Sequence, residues 1–145
     1  MTGEKIGFIG LGAMGVGMSK NLLDAGYAVC GFDVNADSMA ALVDAGGTAG
    51  TSPAMVAAST SLLIVCVFSA DQAEDVLYGV DGAAETLPEG STIVMCTTMA
   101  PKHSRDIAAR LEKNDHQFID APITGGKRGA DQGSLTVIAS GSDAA

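Results

Sequence analysis

The apolar positions of this chain fall into short runs separated by stretches with helical spacing. Lys5-Ile6-Gly7-Phe8-Ile9, Tyr27–Phe32, Leu62–Phe68, Thr92–Cys96, Gln117–Ala121 and Leu135–Ala139 are runs of five to seven residues that read as strands. Between them, Ala13–Ala25, Ala36–Ala45, Ala54–Ala58, the segment after Ser69-Ala70-Asp71 through Tyr78, and Lys102–Lys113 carry apolar residues at helical spacing. Punctuation agrees with the periodicity: Gly26 and Gly46-Gly47 stop two helices, and Ser52-Pro53 supplies a cap and a first turn for a third. Leu62–Phe68 is continuously apolar, which predicts a central strand buried on both faces. Gly79–Gly90 reads as irregular with a short helix at Ala83–Thr86, and Pro122–Gly133 as a glycine-rich loop. Strands alternating with helices predict an α/β fold, a doubly wound and mostly parallel sheet, in a single domain.

Within that alternation one stretch carries chemistry. The first strand runs directly into Gly10-Leu11-Gly12-Ala13-Met14-Gly15, where three glycines let the backbone turn sharply, admit a pyrophosphate to bare N–H groups and pack the next helix on the strand. The spacing alone is a weak signal in a chain with 19 glycines, but here it follows an apolar strand and opens a helix. The second strand then ends at Asp33, about 20 residues after the glycines, where a carboxylate accepts hydrogen bonds from a ribose diol. The pattern predicts a Rossmann-type dinucleotide site, its competitor being a tight turn beside a buried strand. Ligands of such sheets lie beyond the carboxyl ends of the strands, and Phe68-Ser69-Ala70, Thr97-Thr98 and Thr124-Gly125-Gly126 also follow strands.

Composition narrows the ligand. The net charge of −9 argues against nucleic acid, which is bound by clustered Lys and Arg. No Lys or Arg occurs between Lys20 and Lys102, an interval that includes Asp33 and Asp37. A 2′-phosphate needs a cation just after the second strand, so NAD is expected over NADP. A 47% apolar content predicts a packed core, and no apolar run is long enough to cross a bilayer. The opening residues do not read as a signal peptide, which leads to the expectation of a cytoplasmic protein. Cys30, Cys66 and Cys96 sit in apolar runs and read as buried thiols rather than disulfides. His103 and His116 lack metal-ligand spacing, so no metal is expected.

The loop Asp120-Ala121-Pro122-Ile123-Thr124-Gly125-Gly126 admits two readings: a concave set of backbone donors for a carboxylate, or a crossover with Lys127 and Arg128 merely solvated. Gly10–Gly15 continuing to Met18, Asn21-Leu22 and Gly26, taken together with this second loop, closely resembles the β-hydroxyacid dehydrogenase family. That family includes 3-hydroxyisobutyrate, tartronate-semialdehyde and L-threonate dehydrogenases and is related to 6-phosphogluconate dehydrogenase.

The resemblance implies cofactor contacts at Gly10, Leu11, Gly12, Ala13, Met14, Gly15, Asp33, Phe68, Ser69 and Thr98, and a substrate-carboxylate loop at Thr124, Gly125 and Gly126. Thr124 stands where the family more often has Ser. The tail Leu135–Asp143 looks most like the L-threonate branch. Members of the family carry a second, all-helical domain with the catalytic Lys on the joining helix, so residues 1–145 are expected to be the NAD-binding domain without that Lys. The catalytic residue therefore stays unassigned. The expected partner is a small hydroxy acid, with a homo-oligomer possible. A nucleotide-binding module without chemistry is the alternative, and a methyltransferase fits less well because Phe8-Ile9 stand where such enzymes usually carry an acid.

Overall fold

In the computed structural model of the chain, residues 4–145 are described. Strands β1 (Lys5–Ile9), β2 (Ala28–Phe32), β4 (Leu62–Val65), β5 (Thr92–Met95) and β6 (Gln117–Asp120) alternate with helices α1 (Gly15–Asp24), α2 (Ala36–Asp44), α3 (Pro53–Ala57), α4 (Ala70–Tyr78) and α5 (Pro101–Glu112). A two-residue strand β3 (Thr48–Ala49) lies between α2 and α3. The seven-stranded sheet has the order β3-β2-β1-β4-β5-β6-β9, with β9 (Ser140–Gly141) antiparallel to β6 and the other pairs parallel. Strand order reverses at β1, between β2 and β4. That is where this architecture opens a crevice.

Local chemistry sets the element boundaries. Gly26, at φ +93°, follows α1, and the N–H groups of Gly26 and Tyr27 close back onto the carbonyls of Leu23 and Leu22. Ser52 Oγ accepts from the Met55 N–H at the start of α3, with Pro53 in the first turn. Ser69 Oγ likewise accepts from the Gln72 N–H and caps α4.

The core lies on both sides of the sheet. Leu63, Val65, Ile93, Met95 and Phe118 pack under α3, α4 and α5 through Val56, Leu77, Ile107 and Leu111, each such side chain contributing about 1.5–3 kcal/mol of burial. Phe8, Leu11, Val29 and Leu42 form the other layer with Val16, Leu22 and Met39 of α1 and α2.

Three sequence expectations are corrected. The strand at Leu62–Phe68 ends at Val65 and is sealed on one face only, since Leu62 and Ile64 are half-buried. The expected loop Pro122–Gly133 contains a short strand β7 (Ile123–Thr124) and a helix α6 (Gly126–Gln132). The expected strand Leu135–Ala139 is β8 (Thr136–Val137), which pairs with β7 in a separate ribbon; the chain then joins the main sheet as β9. The helix forms despite its glycines because Gly129 and Ala130 are buried against α1, so packing overrides propensity.

Candidate functional site

The glycine loop after β1 is built by backbone contacts that leave no room for side chains. A Cβ on Gly10, at φ +97°, would stand 2.1 Å from the Cys66 carbonyl oxygen, and one on Gly15 would stand 1.9 Å from the Gly10 carbonyl oxygen. A Cβ on Gly12, by contrast, would meet nothing within 4 Å, because that position faces the open crevice. Among the described residues, the N–H groups of Gly12, Ala13, Met14 and Gly15 have no protein acceptor. Four consecutive free donors at the start of α1, with its positive dipole end behind them, suit a pyrophosphate. The residues present therefore fit a dinucleotide.

Leu11 is placed differently from its neighbours. Its side chain is fully buried, and its N–H donates to Asp33 Oδ2 at 2.7 Å. It supports the loop from below. The other carboxylate oxygen, Oδ1, accepts from the Asn35 N–H at 2.8 Å. Asp33 is thus fixed at the end of β2 by a donor on each oxygen, and each oxygen keeps acceptor capacity for a ribose hydroxyl.

Two recesses flank the loop and meet at Val67. One, of about 230 Å³, is lined by Gly10, Phe32, Asp33, Val34 and, from α4, Gln72, Asp75 and Val76. The other, of about 270 Å³, is lined by Gly12 to Gly15, Cys66 to Phe68, Cys96 to Thr98 and Ile123. Neither is lined by Lys or Arg, and the first contains two carboxylates.

The structure brings Gly10, Gly12, Ala13, Met14, Gly15, Asp33, Phe68 and Thr98 to this crevice. Phe68 is 92% exposed at its rim. Ser69 spends its oxygen on the α4 cap. Thr124 is one residue beyond the lining Ile123, and Gly125 and Gly126 continue from it with exposed N–H groups that have no acceptor among the described residues.

The sequence places Thr97 in the loop Thr97-Thr98 after a strand but gives it no role of its own. Its buried Oγ1 accepts from the Val67 N–H at 3.0 Å, taking the place of a ladder carbonyl where β4 and β5 diverge. The position beside Thr98 was the available signal. Cys66 and Cys96 also line the crevice. Burial pushes both thiols up, Cys96 to about 12 with its neighbour Cys66 adding to the rise, so both are neutral near pH 7. Among the described residues, no His, Lys, Asp or Glu lines the recess at Thr97-Thr98.

The family model for the NAD binding domain of 6-phosphogluconate dehydrogenase matches residues 5–145. The chain belongs to that family. As an NAD-binding domain of the 6-phosphogluconate dehydrogenase type, it is 35% identical over 138 residues to L-threonate dehydrogenase of Cupriavidus necator, covering 95% of this chain and 46% of the relative. The crystal structure of 3-hydroxyisobutyrate dehydrogenase from Salmonella typhimurium superposes with a TM-score of 0.91 at 35% identity, over 97% of this chain and 49% of that one. Psf3 in complex with NADP+ and 2-OPP matches with a TM-score of 0.90 at 27% identity, over 95% and 49%. The chain spans just under half the length of these relatives. Among the described residues, no helix is long and apolar enough to cross a membrane.

Proposed function

We propose that this domain is the cofactor half of a dehydrogenase that oxidises a small 2- or 3-hydroxy acid, of the L-threonate or 3-hydroxyisobutyrate kind, with NAD as hydride acceptor. The observation that carries the reading is the pair of adjoining recesses, one holding Asp33, the other the free N–H groups of Gly12–Gly15 and Ile123 at the head of the Thr124-Gly125-Gly126 loop, with Val67 lining both.

When bound, NAD would supply the hydride-accepting ring. Gly12, Ala13, Met14 and Gly15 would hold its phosphates, Asp33 its adenosine ribose, and Phe68, Ser69 and Thr98 would border its reactive end. Thr124 and the amides of Gly125 and Gly126 would hold the substrate carboxylate and so orient the carbinol carbon. The hydroxyl proton must leave as the carbinol carbon gives up its hydride. The neutral thiols of Cys66 and Cys96 are poorly matched to accept it, which supports a base supplied from outside these residues, as expected of the family's Lys.

Asp33 and Asp75 beside the ribose recess, with no cation, support NAD over NADP because a 2′-phosphate would meet carboxylates. Calorimetric titration of the chain is expected to show tighter binding of NAD than of NADP, with Asp33→Ala weakening NAD by about 1–3 kcal/mol. Tighter binding of NADP by the unaltered chain would sink the assignment.

A further inference from the structure

α1 begins at the phosphate cradle, and α6 begins at the Thr124-Gly125-Gly126 loop. The two helices are in contact, and one side chain links them through both of its amide hydrogens. Asn21 Nδ2 donates to the Gly17 carbonyl of its own helix at 2.9 Å and to the Ala130 carbonyl of α6 at 2.6 Å, across 109 residues of chain. Ala130 lies in the last turn of α6, where carbonyls lack a full helical partner; besides the Asn21 amide, its carbonyl accepts only a long bond of 3.4 Å from the Gly133 N–H among the described residues.

The approach is close enough to depend on a missing side chain. A Cβ on Gly17 would stand 2.8 Å from the Ala130 carbonyl carbon and 2.9 Å from the Asp131 nitrogen. Asn21 and Gly17 thus set how near α6 comes to α1 and at what height. Ala130 follows Gly126 by four residues, about 6 Å along a helix, so a shift at this contact is carried to the loop over one turn.

We propose that Asn21 is a positioning residue, which registers the Thr124-Gly125-Gly126 loop against the cofactor cradle without touching either ligand. The inference rests on the reading of that loop as the carboxylate site. Its consequence is selective. Cradle donors belong to the loop between β1 and α1 and to the first residue of α1 and keep their places when α6 moves, whereas the loop amides move with α6; an ångström of displacement is enough to spoil orientation for hydride transfer.

The test uses isotope-labelled chain, with the Gly125 and Gly126 amide resonances followed as L-threonate is added at saturating NAD, and NAD affinity measured separately by calorimetry. Asn21→Asp keeps the shape but replaces the donating Nδ2 by an oxygen that faces both carbonyls without a hydrogen to give. Gly17→Ala keeps Asn21 and pushes the helices apart. Each variant is expected to weaken L-threonate at least tenfold while NAD affinity stays within twofold.

Equal weakening of both ligands, unchanged L-threonate affinity, or unfolding of both variants would overturn the proposal, since each marks the contact as merely structural or inert. If one variant fails to fold, the other decides. Absence of any L-threonate response in the unaltered chain would remove the carboxylate reading together with this inference. A normal response there with an unchanged one in the variants removes the inference alone.

Discussion

At the scale of single residues, the three glycines of the cradle do different jobs. Gly10 and Gly15 are excluded from carrying a side chain by carbonyl oxygens 2.1 and 1.9 Å from where a Cβ would sit, while Gly12 opens onto the crevice. Substitutions should therefore separate folding from binding. Gly15→Ala is expected to lower stability by about 1–3 kcal/mol, the scale of forcing an extra carbon into a filled site, as read by urea denaturation. Gly12→Val is expected to leave stability within about 0.5 kcal/mol yet abolish detectable NAD binding, because the branched side chain would occupy the place of the pyrophosphate. Normal NAD affinity in Gly12→Val would mean that the cradle is only a turn. The sequence motif names all three glycines alike. The neighbouring carbonyls tell them apart: that of Cys66, just after β4, lies against Gly10, and that of Gly10 lies against Gly15.

At the scale of elements, boundaries with a local cause were readable and those with a distant cause were not. Ser52, Ser69 and Gly26 announce their helix ends within a few residues, and all three act as caps or stops. α6 has a local stop in Gly133, at φ +64°, but nothing local announces the helix itself, with two glycines in seven residues and only Gly129 and Ala130 buried, and its anchor is Asn21 on a different helix. The end of β4 is similar: an unbroken apolar run conceals the point where the Val67 N–H leaves the ladder for the Thr97 hydroxyl. Thr97→Val removes that acceptor and leaves a half-buried N–H unpaired, with a cost of about 1–3 kcal/mol. Denaturation should show that loss, and NAD affinity should fall as Phe68 and its loop drift from the crevice. Undiminished stability in Thr97→Val would show that another group satisfies Val67.

At the scale of the whole molecule, the covering of the sheet is uneven. Helices α3, α4 and α5 seal one face, but on the other a largely apolar recess of about 260 Å³ remains between α1 and the β7–β8 ribbon, lined by Met18, Leu22, Ile64, Leu135 and Val137. Val137 and Ile138 are 52% and 65% exposed beside it. Apolar surface of this kind favours association. Light scattering is expected to show an average mass that rises with concentration above 14.5 kDa, and Val137→Lys with Ile138→Lys should suppress the rise; a constant monomer mass would contradict it. The two margins of the sheet bear on how such association would proceed. β3 and β9 are each two residues long, so either border offers a neighbouring copy very few free ladder groups, and long, unpaired edges are what template strand addition. Copies of this domain should therefore meet through side chains on a face, reversibly and in closed numbers, and not by extending one sheet from molecule to molecule into a fibre.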